Sequence, residues 1–186
     1  MQRRRLGNSG LQVSLVGLGC NNFGARLDLE GSRKVVHRAL DLGITLLDAA
    51  DIYGNRGGSE EHLGQILGDR RKDIVLASKF AMAMDEVEVK KGASRRYIMS
   101  AVEDSLRRLK TDWIDLYQVH QLDPLTPIEE TLSTLDDLVR QGRVSYIGCT
   151  DFRAWCVVEA QWTAKRRSVE AFISCQDEYS LVLREP

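Results

Sequence analysis

The sequence is sparing with the residues that would mark it for several functions. It holds three histidines, three prolines and four cysteines among 186 residues. Cys20, Cys149, Cys156 and Cys175 form no C-x-x-C pair and no cluster with histidine. Neither a disulfide framework nor a zinc site is indicated, and no metal ligand is assigned. Charge of one sign is lacking too: 26 Lys+Arg stand against 27 Asp+Glu, a formal net charge of -1. That balance gives no field for nucleic acid or for an anionic membrane surface. No apolar run approaches the ~20 residues of a membrane span. The basic start Arg3-Arg4-Arg5 runs into Asn8, Ser9, Gln12 and Ser14, so it lacks the apolar region of a signal peptide. The expectation is a soluble, cytoplasmic protein with a single domain over residues 1–186, long enough to bury its own core.

What the chain does have is alternation. A hairpin is expected over Arg3 to Val13, turning near Gly7-Asn8-Ser9-Gly10, followed by a buried run from Ser14 to Gly19. A helix is expected from Ser32 to Leu42, with Gly43 as its stop, then a strand at Ile44 to Leu47 and a helix at Ser59 to Leu67. Ile74 to Ala77 reads as the third strand, and Ser94 as the cap of a helix carrying Ile98, Val102, Leu106 and Leu109 inward. Trp113 to Val119 is the fourth. Thr126-Pro127-Ile128-Glu129 has the form of a capping box for a helix that stops at Gly142. Val144 to Ile147 follows, then a helix capped by Asp151 with Trp155, Val158 and Trp162 on its inner stripe, and a sixth strand at Ala171 to Cys175. Trp113 and Trp155 are expected in the core. Strict alternation of this kind builds βαβ units and a parallel sheet covered by helices. Two architectures satisfy it: an open doubly wound sheet, or part of a (β/α) barrel. The stretch from Lys79 to Arg95 is the longest loop, and loops of that length in a domain of this size tend to serve function.

Polar side chains gather at the carboxyl ends of the expected strands. Asp48 follows Leu46-Leu47, Lys79 follows the run ending at Ser78, and His120 follows Val119. Cys149, Thr150 and Asp151 follow Tyr146-Ile147-Gly148, and Gln176 follows Cys175. Tyr53 lies in the loop after the second strand. A single residue of this kind could be a cap or a solvated charge, and His37 and His62, within expected helices, are read that way. Five strand ends converging on one face are not: that face is where α/β sheets and barrels build active sites.

The set has a chemical logic. A tyrosine, with an unperturbed pKa of ~10, is a poor proton donor at neutral pH unless tuned. A neighbouring ammonium favours the phenolate, and a carboxylate keeps that ammonium charged and aimed. Asp48, Lys79 and Tyr53 can form such a chain. His120 can donate to a carbonyl oxygen and steady the charge that develops there. This suits proton transfer at an oxygen while hydride moves at the attached carbon, and hydride has to come from a cofactor.

At these residues the sequence resembles the aldo-keto reductase family. The likeness runs through Arg4-Arg5-Leu6-Gly7 with Ser9-Gly10-Leu11, Gly17-Leu18-Gly19, and the specific block Leu47-Asp48-Ala49-Ala50-Asp51-Ile52-Tyr53-Gly54. It continues through Ser59-Glu60 with Leu63-Gly64, Ser78-Lys79, Asp115-Leu116-Tyr117 with Val119-His120, Tyr146-Ile147-Gly148, and Gln176 with Glu178-Tyr179-Ser180. The resemblance implies a (β/α)8 barrel of TIM type that reduces aldehydes or ketones with NADPH, NAD serving as an alternative nucleotide. It implies Asp48, Tyr53, Lys79 and His120 as the catalytic set, with Tyr53 the proton donor. Cofactor contacts are implied for Cys20, Asn21, Asp48, Thr150, Asp151 and Gln176. The partner is a small carbonyl or alcohol substrate.

The chain departs from the family pattern in three places. Thr150-Asp151 stands where Ser-Asn is usual, and a carboxylate cannot donate to the carboxamide oxygen. Ala49 stands where threonine is common. Six strands are expected where the family barrel has eight, so the chain reads as the N-terminal portion of a longer protein, truncated after the sixth strand with two edges exposed. A Rossmann dehydrogenase fits less well, since Gly17 to Gly24 lacks the G-x-G-x-x-G spacing, and no Y-x-x-x-K places a lysine one turn beyond Tyr53. The other classes are a nicotinamide-binding regulatory subunit, like the potassium-channel β subunits that share the family barrel but carry asparagine in place of His120, and an inactive remnant.

Overall fold

The chain opens with Arg3–Arg5 (β1) paired antiparallel to Gln12–Ser14 (β2), Arg4 opposite Val13, in a computed structural model that describes residues 1–184. The turn of this hairpin needs glycine. Gly7 has φ +56, and a Cβ there would sit 2.1 Å from the carbonyl oxygen of Ile173, so the hairpin lies directly against the chain entering the last strand. The expected run from Ser14 to Gly19 is split. Ser14 closes the hairpin and its Oγ accepts from the amides of Thr45 (3.0 Å) and Leu46 (3.1 Å), leaving only Gly17–Gly19 (β3) for the main sheet.

Five further strands follow: Leu46–Asp48 (β4), Val75–Phe80 (β5), Ile114–Val119 (β6), Val144–Thr150 (β7) and Cys175–Gln176 (β8). All six pair parallel, in strict chain order from β3 to β8. A doubly wound sheet requires a point where strand order reverses, and none occurs here. The sheet is also curled. Gln176 Nε2 on β8 donates to Asp48 Oδ2 on β4 at 3.1 Å, although four strand steps of about 4.8 Å would hold these strands roughly 19 Å apart in a flat sheet. The result is a half-barrel with helices between its strands.

The helices are Leu29–Asp41 (α1), Tyr53–Ile66 (α2), Arg95–Leu109 (α3), Ile128–Arg140 (α4) and Ala154–Arg167 (α5), with a 3-10 segment at Gly68–Asp73. They bury Val36, Leu63, Ile98, Val102, Leu132, Leu135 and Leu138 against strand residues Leu47, Leu76, Ile114, Tyr117 and Ile147. Ser94 caps α3 as expected, its Oγ accepting from the Tyr97 amide. Elsewhere local chemistry moved the boundaries. α1 begins at Leu29 rather than Ser32, because the Asp28 carboxylate caps it by reaching the Gly31 amide at 2.8 Å. The capping box at Thr126 does not form: its hydroxyl donates to Asp123 at 2.7 Å, and Pro127 stands at the N-cap position. Asp151 does not cap α5 either. It lies in the left-handed region at φ 54, its amide donates to the Gln176 carbonyl, and Arg153 takes the cap position.

The expected inner stripe of α5 faces outward. Trp155, Val158 and Trp162 are 60%, 55% and 67% exposed, while Cys156, Ala160, Thr163 and Ala164 are buried. Small residues let the helix backbone approach its neighbours closely, and that contact outweighs apolar side-chain size in setting the helix rotation. Trp113 is half-buried under the Arg71 guanidinium, 4.3 Å from its ring centroid. Among the described residues no helix is long and apolar enough to cross a membrane.

Candidate active site

The parallel register sets the site. Asp48 pairs with Ala77 across β4 and β5, two positions before Lys79, and Lys79 pairs with Gln118 on β6, two before His120. Strand ends therefore stack side by side at one mouth, and side chains two residues apart share a face. Lys79 lies within β5 rather than after it, is 1% exposed, and its ammonium is fully engaged. Nζ donates to Asp48 Oδ1 at 2.8 Å, to the Ala49 carbonyl at 3.1 Å and to Tyr53 Oη at 3.3 Å. Three N–H donors meet three acceptors, so a lysine that would be costly to bury has every donor satisfied. Because the Tyr53 oxygen accepts from lysine, its own proton remains free to be given away.

Tyr53 reaches this point through an unusual turn. Gly54, Asn55, Arg56 and Gly57 all have positive φ, at 69, 60, 69 and 120. For Arg56 this conformation costs roughly 1–2 kcal/mol, while asparagine tolerates it more readily. Gly54 is irreplaceable on two grounds: its φ, and a Cβ that would fall 2.3 Å from the Phe23 carbonyl oxygen and 2.4 Å from the Ser59 nitrogen. Gly54→Ala is expected to destabilise the fold by about 2 kcal/mol or more, read as a lowered melting temperature.

His120 sits edge-on to Tyr53, ring centroids 5.5 Å apart and planes at 82°. Its Nδ1 is buried with no hydrogen-bond partner among the described residues. Burial first, then the Lys79 charge, pulls its pKa down to about 4, with Asp48 opposing. The imidazole is therefore neutral at pH 7 and keeps one N–H to donate. Between pH 6.5 and about 4 the unfolded chain binds a proton at this position that the folded one refuses. His120 is therefore expected to stabilise above pH 6.5 and to lose that contribution as pH falls toward 4. A histidine NMR titration with a midpoint near 6.5 instead would contradict it.

The nicotinamide-contact candidates are distributed unevenly. Thr150, Gln176 and Asp48 come together with Gln118: Gln118 Nε2 donates to Gln176 Oε1 at 3.2 Å, and Gln176 donates to Asp48. Thr150 is buried, and its hydroxyl donates to the His120 carbonyl at 2.6 Å, which leaves the oxygen as an acceptor. Asp151 is exposed beside them. This donor set fits a nicotinamide carboxamide. Thr150 and Asp151 would offer acceptors for its NH2, and the N–H of Gln176 not bonded to Asp48 would be the donor for its oxygen. Cys20 is fully buried, burial pushes its thiol up to about 12, and its backbone links Asp48 to Ser59. Asn21 is exposed at the same rim.

Two participants escaped sequence reading. The Ala49 carbonyl is backbone and leaves no residue signal. Gln118 did leave one, a fully buried amide within the apolar run Leu116 to Val119. The long loop after β5 is pinned at its neck by Gly92 N donating to the Ala81 carbonyl and by Asp123 accepting from Ala93 N. A cavity of about 690 Å³ lined by Phe152, Arg153, Cys175 and Asp177 contains none of Asp48, Tyr53, Lys79 or His120.

Comparison with known proteins gives the family. The oxidoreductase YrpG of Bacillus subtilis (strain 168) is 38% identical over 194 residues, covering 99% of this chain and 60% of YrpG. Aldo-keto reductase YhdN of the same organism is 37% identical over 191 residues, covering 100% and 56%. Aldo-keto reductase dtxS3 of Metarhizium robertsii is 35% identical over 211 residues, covering 97% and 57%. The chain thus spans 56 to 60% of the length of these relatives. The profile of the aldo/keto reductase family matches residues 15–186, and with this half-barrel and these relatives the chain belongs to that family.

Proposed function

We propose that the protein carrying this chain is a nicotinamide-dependent carbonyl reductase, with NADPH as the preferred nucleotide, that converts an aldehyde or ketone to an alcohol with Tyr53 as proton donor. The observation that carries this reading is the arrangement at Lys79 Nζ, which engages Asp48, the Ala49 carbonyl and Tyr53 at once and leaves the phenol proton free. The nucleotide, when bound, supplies hydride to the carbonyl carbon. Tyr53 gives its proton to the carbonyl oxygen, and the Lys79 ammonium at 3.3 Å steadies the phenolate left behind. Neutral His120 donates to the same oxygen as negative charge grows on it. Thr150, Asp151 and Gln176 hold the carboxamide, and Gln118 fixes Gln176. The phenol regains its proton from water after the alcohol leaves.

The test is turnover of para-nitrobenzaldehyde and an aliphatic ketone by the full-length protein, followed by loss of reduced-nicotinamide absorbance with NADPH and NADH in turn. Nucleotide-dependent reduction of either carbonyl supports the reading. Tight nucleotide binding with no turnover across such a panel would favour the nicotinamide-binding regulatory subunit instead.

A further inference from the structure

The contacts that Lys79 makes with Asp48, Ala49 and Tyr53 lie on the inner face of the half-barrel. Directly behind them, on the side covered by helices, is a second set of charged groups that this chemistry does not use. Glu60 on α2 is fully buried. Its Oε2 accepts from Arg108 Nε of α3 at 2.7 Å, and its Oε1 accepts from the Ser78 hydroxyl at 2.5 Å. Ser78 is the strand residue immediately before Lys79, and alternation along the strand turns the two side chains to opposite faces. Arg108 Nη2 also reaches Ser105 Oγ at 3.3 Å. Its stem closes on the left-handed turn after Tyr53: a Cβ on Gly57 would lie 2.7 Å from Arg108 Cδ.

Other bonds bind the same parts together. The Asp51 amide donates to the Lys79 carbonyl at 3.1 Å, and Ser59 Oγ donates to the Cys20 carbonyl, whose amide donates to the Asp48 carbonyl. Asp51 is buried, accepts from the Tyr97 hydroxyl at 3.4 Å, and leaves Oδ1 without a partner among the described residues. Burial first, and the Glu60 charge second, push Asp51 up to about 8, with Arg108 opposing. Arg56, Lys90, Asp104 and Arg107 line the adjoining cavity of about 250 Å³.

We propose that Glu60 and Arg108 are positioning residues for Tyr53 and Lys79. Their ion pair grips the residue before the lysine and the strained turn after the tyrosine, and so fixes the separation between ammonium and phenol. A buried ion pair is a poor device for stability alone, because apolar residues of similar volume serve as well or better. This one spans the two segments whose alignment the proton transfer needs. The inference rests on the reading of Tyr53 as proton donor, and a misplacement near 1 Å in such a site is enough to cost about 10²-fold in rate.

The experiment uses the full-length protein with NADPH and para-nitrobenzaldehyde. Glu60→Gln keeps the shape and an acceptor for Ser78 but removes the charge. It is expected to lower kcat at least tenfold, with KM and NADPH affinity within about twofold, and to move the pH profile of kcat. Should the unpaired Arg108 prevent folding, the doubly neutral Glu60→Gln/Arg108→Met variant removes that charge. Recovery of the melting temperature without recovery of kcat supports positioning. Wild-type kcat and pH profile in that folded double variant would overturn it, leaving a structural role only. Tyr53→Phe runs alongside. If it retains turnover, the proton-donor reading fails first, whereas loss of turnover there with unchanged Glu60 variants sinks this inference alone.

Discussion

Tyr53→Phe in the full-length protein is expected to cut the turnover of carbonyl reduction by about 10² or more, the usual scale for loss of a general acid. The substitution is nearly silent structurally. The ring keeps its edge-on contact with His120 at 5.5 Å, and only the hydroxyl bonded to Lys79 at 3.3 Å is lost. Thr150, Asp151 and Gln176 are untouched, so nucleotide affinity, read by fluorescence titration, should survive within about twofold. Uniform loss of kcat and kcat/KM with intact binding is the signature of an interaction made in the transition state. Near-normal turnover in a folded variant would remove Tyr53 from the chemistry.

Lys79→Met is expected to have an effect at least as large, in the range of about 10²–10⁴ on kcat. Methionine matches the length of the buried stem and adds no charge, so the half-barrel should still form. The loss is electrostatic: the ammonium that serves Asp48, Ala49 and Tyr53 together is gone. Without it the phenolate formed by proton transfer lacks its cation, and the rate of reduction should fall accordingly. Among the described residues the Asp48 carboxylate would keep only the Gln176 amide, at 3.1 Å. An intact rate in the folded variant would mean that the charge at Lys79 does not act on the phenol.

These two residues show how far the sequence could be read. Strand ends carrying Asp48, Lys79 and His120 were legible because parallel strands are apolar and a polar residue closing one stands out. The alternation of elements was legible for the same reason, since it follows from short-range periodicity, and glycine stops such as Gly43 and Gly142 announce themselves by their freedom at positive φ. Periodicity also left two architectures open. The choice between them lay in strand order and curl, visible only when Gln176 meets Asp48 across the sheet.

Competition between partners decided what remained. Thr126 had the right neighbours for a capping box but found the Asp123 carboxylate closer, and Asp151 was drawn into a left-handed turn by the Gln176 carbonyl. The stripe of Trp155, Val158 and Trp162 looked like a core face by size alone, yet the small residues opposite it packed inward because they allow closer approach. Glu60 and Arg108 lie 48 positions apart, and nothing local in the chain announces their pairing. Sequence determined which residues could do chemistry and that their strands share one end. Tertiary structure alone determined which donor meets which acceptor, because a hydrogen bond is settled by distance and by the other groups contending for it, and neither quantity is local in the chain.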